Sequence, residues 1–280
     1  MESHDRLHRR DFVKLTAAAA AASALSACGR ALPLLPTPGK ARPSGTPTEI
    51  PPATASPTAQ PSPMPSPTPN PLGRVALVRT EDRAYGVRRA LELLDVNPVR
   101  GKALFVKPNF NSADPFPGST HPDTLLALGE SLATMGADHL TIGDRSGMGN
   151  TRAVMRAKGI LEMADELGWS TQVLDELGAA DWVLFNPAGG HWQGGFALPQ
   201  PVLGADGVVQ TCCLKTHRYG GHFTISLKNS VGLAAKLIPG ETHNYMTELH
   251  HSVHQRRMIA EINTAYAPDL VLLDAMEAFV

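Results

Sequence analysis

The sequence shows no excess of either charge: 25 Lys and Arg against 26 Asp and Glu leave a net −1 over 280 residues. Non-specific nucleic-acid binding needs a basic face, so nucleic acid is excluded as an expected partner. Cysteine is scarce, with three in the chain. Cys28 stands alone, and Cys212 and Cys213 are adjacent. Neighbouring Cα atoms lie about 3.8 Å apart, shorter than a relaxed disulfide spans, so no bond between the two is expected. Small residues finishing a buried strand account for the pair. A nucleophilic thiol there would need a depressed pKa, which nearby Lys215 and His217 leave open. "HExxH" does not occur, and "GDRSGMGN" (143–150) does not match the dinucleotide fingerprint. The apolar stretch near the N-terminus is too short to cross a bilayer.

That stretch belongs to an address rather than to a fold. "HRRDFVKLTAAAAAASALSAC" sets Arg9 and Arg10 ahead of Phe12, Lys14 and a short alanine-rich core, and it ends at Cys28. The order resembles a twin-arginine export signal, a route for proteins that fold before crossing the membrane. "LSAC" resembles a lipoprotein cleavage box, which makes Cys28 the first mature residue and the carrier of the lipid. The expectation is an exported, extracytoplasmic lipoprotein, delivered by the twin-arginine machinery and tethered to a membrane through Cys28. Residues 1–28 are then signal. Residues 29–72, with "PTEIPPATASPTAQPSPMPSPTPNP", have too little apolar content to offset their ordering entropy. They are expected to form a disordered, partly polyproline stalk.

Residues 73–280 alternate between strand-like and helix-like runs. "RVALVRT", "KALFVKPNF", "DHLTIGD", "STQVLDE", "DWVLFNP", "DGVVQTCCL" and "DLVLLDAM" read as strands. "VRRALELLDV", "HPDTLLALGESLATMGA", "TRAVMRAKGILEMADELG" and "MTELHHSVHQRRMIAEINTAY" read as helices. Thr120 with Asp123 makes an approximate capping box for the second of these, and Gly136 marks its end. The pattern predicts a single α/β domain with a mainly parallel sheet flanked by helices, whose ligands sit beyond the carboxyl ends of the strands.

Polar groups fall at those ends. Lys107 and Asn109 follow "ALFV", Asp144 follows "LTIG", Lys215, Thr216 and His217 follow "GVVQTCCL", and Lys228 and Asn229 follow "FTISL". "VGLAAKL" after Asn229 reads as a helix whose free N–H groups would favour an anion. Lysine holds phosphate or carboxylate as a point charge, so the three lysines are expected to converge on a small anionic molecule. Lys107, Asn109, Lys215, Thr216, Lys228 and Asn229 are the expected binding residues. Asp144 or His217 is the expected proton-transfer group. Tyr219 to His222, hinged by Gly220 and Gly221, would form a mobile cover.

"FVKPNF", "STHPDTL", "IGDRSG", "LGADGVVQTCCLKTH" and "FTISLKNSVGL", in this order and spacing, resemble the family known as domain of unknown function 362. The resemblance covers roughly residues 74–280. It implies an architecture and site positions, but no reaction. Some members carry a four-cysteine iron–sulfur module; this chain has no such module, so an iron–sulfur cluster is not expected from the cysteines present. Members generally continue past a segment like "LVLLDAMEAFV", so a missing C-terminal part is expected.

His250 and His254 stand four apart in a run read as one helix, a spacing that leaves room for a divalent metal. Two functions therefore stand. One is a membrane-tethered enzyme acting on a small anionic substrate. The other is a lipoprotein that captures an anion without reacting.

Overall fold

Leu104, Phe105 and Val106 are all buried, as a strand covered on both faces requires. They lie in β1 (Ala103–Lys107), the middle strand of a five-stranded parallel sheet in a computed structural model that describes residues 73–217 and 221–278. The export signal, Cys28 and the stalk lie outside the described residues. From β1 the chain steps outward through β2 (His139–Asp144) to β3 (Ser170–Val173). It then crosses back to β6 (Gly207–Cys213) and β9 (Leu270–Asp274), giving the order β3-β2-β1-β6-β9. The winding direction reverses between β1 and β6, and their carboxyl ends bound the crevice where such sheets take ligands.

Alternate strand residues point to opposite faces, and each face has its own core. Leu104 and Val106 pack with Val87 and Leu91 of α1 (Arg83–Leu94) and Leu125 and Leu128 of α2 (Pro122–Thr134). Met155 of α3 (Thr151–Ala157) and Ile160 of α4 (Ile160–Glu166) complete that side. Phe105 and Val208 face the other way, towards Phe196, Leu198, Leu233 and Leu249. Phe196 and Leu198 belong to β5 (Phe196–Pro199), which pairs antiparallel with β4 (Trp182–Phe185) as a separate two-stranded ribbon. Behind it lie the one-turn α5 (Gln200–Leu203), α7 (Tyr245–His251) and α8 (Gln255–Ile262).

Several sequence expectations are corrected. "RVALVRT" is no strand: residues 74–80 have extended or irregular backbone outside every sheet, and Val75 and Leu77 are 91% and 92% exposed. The cap of α2 is His121, whose side chain accepts from Asp123 N, while Thr120 Oγ1 accepts from Asn109 N instead. "TRAVMRAKGILEMADELG" is two helices, broken at Gly159, where φ is +69°. The C-terminal run is likewise two helices. Ser252 is extended and its hydroxyl accepts from His254 N at 3.0 Å, a local bond that competes with helix continuation.

Candidate functional site

The parallel pairing of β1 with β2 brings their last residues, Lys107 and Asp144, to the sheet's carboxyl edge. Lys107 Nζ lies 2.7 Å from Asp144 Oδ1, with side chains 1% and 2% exposed. Taking both charges out of water is expensive, and only complete hydrogen bonding makes it tolerable. It is complete here. Lys107 Nζ also donates to the Pro108 carbonyl and to Asn229 Oδ1 at 3.2 Å. Asp144 Oδ1 accepts from Arg145 N and Oδ2 from Phe110 N, each at 2.6 Å. Burial pulls the Lys107 pKa below its ordinary value, against the opposing pull of Asp144.

The segment 226–234 closes over this pair. It begins with the one-turn α6 (Ser226–Asn229) and passes directly into a 3-10 turn, Ser230–Gly232. Asn229 Nδ2 donates to Thr211 O at 3.3 Å, tying the turn to β6. Gly232 lies against the ion pair: a Cβ there would stand 2.8 Å from Asp144 Oδ1 and 2.9 Å from Lys107 Nζ. Both neighbours are pinned, so neither can give way. Gly232→Ala is therefore expected to cost about 1–3 kcal/mol, by the same physics as an overpacked core. Gly194→Ala, which meets nothing within 4 Å, is the control and should be near neutral in the same denaturant titration.

Arg145 is the second buried cation, 3% exposed. Its Nε donates to Ala234 O at 2.8 Å and its Nη2 to Val231 O, with Met246 Sδ 3.3 Å away. The guanidinium is thus capped by carbonyls. Burial lowers its pKa, with Asp175 and Asp144 acting against that.

Two further lysines reach the same region. Lys215 opens β7 (Lys215–His217), which pairs with β8 (Gly221–Thr224), and its Nζ donates to Gly118 O at 2.5 Å. Burial, chiefly, lowers its pKa. Lys228 of α6 is half-buried and has no hydrogen-bond or ion-pair partner among the described residues. Burial pushes its pKa down to about 8, and the charges of Arg145, Lys215 and Lys107 add to the shift. The three charges that shift this amine are all positive.

Against that geometry, the family model for Domain of unknown function (DUF362) matches residues 104–280. The chain belongs to the DUF362 family. No curated protein matches it. Among solved structures it is similar to the lactate racemase apoprotein from Thermoanaerobacterium thermosaccharolyticum, at 19% identity and a TM-score of 0.49. The alignment covers 70% of this chain and 49% of that one, so the chain spans about half the length of the structure it matches.

In this DUF362 domain the expected site residues divide by exposure. Lys107, Asp144 and Asn229 are buried and hold one another. Lys215, Lys228 and Asn109 are half-buried and Thr216 is exposed. The side chain of His217, and most of the Tyr219–His222 cover, lie outside the described residues. Lys228 and Asn229 do not end a strand as expected. They lie on α6, and "VGLAAKL" is no helix: the 3-10 turn ends at Gly232, and residues 233–237 are turn, bend and irregular backbone.

Helix breakage also parts His250 from His254. His250 Nδ1 donates to Met246 O at 2.7 Å, and its lowered pKa reflects burial first, then the charges of Lys228 and Arg145. His254 packs instead on His191, with ring centroids 4.7 Å apart. The shared helical face on which the metal expectation rested is absent, and no group of three or more metal-type ligands occurs among the described residues. The thiols are buried. Burial pushes Cys212 up to about 12 and raises Cys213, which removes the nucleophilic reading. Arg145, Gly232 and His250 are the residues that strand-end reasoning missed at this site. Arg145 adjoins Asp144 in "IGDRSG", the one hint the sequence offered.

Proposed function

We propose that this DUF362 protein is an enzyme that holds a small anionic substrate between Lys215 and Lys228, with the Lys228 amine as its reactive group. The observation that carries this reading is the amine itself: half-buried, without a partner among the described residues, and shifted by three positive charges. Such an arrangement is unfavourable in the free protein and is relieved when an anion arrives. Asp144 then serves to position Lys107 rather than as a base, because its carboxylate already accepts from Lys107, Arg145 and Phe110. His217, two residues beyond Lys215, is the proton-transfer partner in this reading.

The same cations would serve a capture protein that does no chemistry. The pKa of Lys228, about 8, favours the enzyme. A group that exists in both protonation states near neutral pH suits reaction, whereas a pure anion binder gains from a permanent charge. The twin-arginine-type signal, Cys28 and the Pro-rich stalk support placing this chemistry outside the cytoplasm on a membrane tether.

The test is thermal unfolding with oxalate or inorganic phosphate at ionic strength matched by chloride. A hundredfold excess over Kd stabilises by about 2.7 kcal/mol, a shift of several degrees. Lys215→Met and Lys228→Met should each lose most of that protection. Equal protection in both variants and wild type would remove the site.

A further inference from the structure

The cations at this edge are not equally free to act. Lys107 Nζ has three acceptors, Arg145 is capped by the carbonyls of residues 231 and 234, and Lys215 donates to Gly118 O. Lys228 alone among them has no partner among the described residues. The other nucleophiles are out of play, since Asp144 is fully engaged and both thiols are buried.

We propose that the Lys228 amine condenses with the carbonyl of a small oxo-carboxylate, whose carboxylate group lies against Lys215, to form an imine. This rests on the anion-site reading above and deepens it by naming the substrate class. The neutral amine's lone pair adds to the carbonyl carbon, and the carbonyl π pair moves to oxygen. Transfer of a proton from nitrogen to that oxygen gives the carbinolamine. Loss of hydroxide from carbon and a second proton from nitrogen then releases one water and leaves a C=N bond. No oxidant, reductant or further reactant enters. A half-buried, unpartnered lysine beside other cations is activated for this chemistry because a useful fraction of it is unprotonated near neutral pH. The carboxylate gives Lys215, which donates to the Gly118 carbonyl, an anionic partner, and its capture places the carbonyl beside the amine.

The experiment incubates the full chain with pyruvate and cyanoborohydride near neutral pH, then reads intact mass and peptide maps. The expected result is one carboxyethyl group on Lys228. It should form on the order of tenfold or more faster than on exposed lysines, whose ordinary pKa near 10.4 leaves them almost fully protonated. Labelling should fall as pH drops below about 7, and oxalate should compete. Lys228→Arg, which keeps a cation and the fold, should abolish that adduct. Adducts spread evenly over surface lysines, with oxalate protection intact, would overturn the imine and leave the anion site standing. Absence of both protection and a Lys228 adduct would overturn both.

Discussion

Asp144→Ala is expected to destabilise the domain by about 3–5 kcal/mol, because it strands the Lys107 ammonium in a site with almost no water. A loss of that size is a large fraction of the roughly 5–15 kcal/mol that holds an ordinary domain together. Lys107 would keep its carbonyl and Asn229 acceptors but lose its counter-charge, and the backbone N–H groups of Phe110 and Arg145 would lose their acceptor. The measurement is a guanidinium titration followed by far-UV circular dichroism. Replacing both members, as Lys107→Met with Asp144→Leu, should recover much of the loss, since two apolar side chains leave no unpaired charge. It should also weaken protection by oxalate. A single variant that loses under about 1 kcal/mol would show that water reaches the pair, as at exposed salt bridges.

Lys228→Met should do the opposite and stabilise the ligand-free protein at neutral pH. The fall of its pKa from 10.5 to about 8 is a penalty on the charged form in the folded state. Taken whole, that shift corresponds to about 3 kcal/mol. Partial solvent contact lowers the expected gain to ~1–2 kcal/mol. Below pH 8 the ammonium is charged in folded and unfolded chains alike, so the wild type carries the full penalty there. Between about 8 and 10.5 the folded state releases its proton first, and the penalty fades. The advantage of the variant should therefore shrink across that interval and be gone above it. A variant no more stable than wild type at pH 7 would show that Lys228 is well hydrated. A gain in stability with loss of anion protection is the signature of a group kept for function at a cost to the fold.

How much of this is legible in the sequence follows from what each signal measures. The parallel α/β arrangement was legible because buried runs such as Leu104–Val106 and Val208–Val209 alternate with helical periods. That arrangement alone puts Lys107 and Asp144 on one edge, without knowledge of a single side-chain contact. Lys228 was placed at the right edge for the wrong local reason: "FTISL" looks like a strand, yet its last residues turn into α6. Pattern also misled at "RVALVRT", where alternation describes a strand's faces but cannot say whether a neighbour exists to pair with it. Burial of a cation was the least legible feature. Arg145 carries the same letter as the exposed Arg79, and only the carbonyls of a segment some ninety positions later distinguish them. The break between His251 and Gln255 was hidden because helical period continues across it, while one serine hydroxyl redirects the backbone.

Gly232 and Asn229 lie on a stretch that a ribosome delivers long after the strands it covers, with Asn229 following Lys107 by 122 residues. β1, β2 and β3 are consecutive in the chain and adjacent in space, so they can assemble early. Their charged edge must meanwhile stay hydrated. The burial of the Lys107–Asp144 pair is consequently a late event of maturation, and Lys228, the amine proposed to react, arrives on the same stretch that covers it. A half-made chain therefore has a charged sheet edge before it has the stretch that covers it, and Lys228 comes only with that cover.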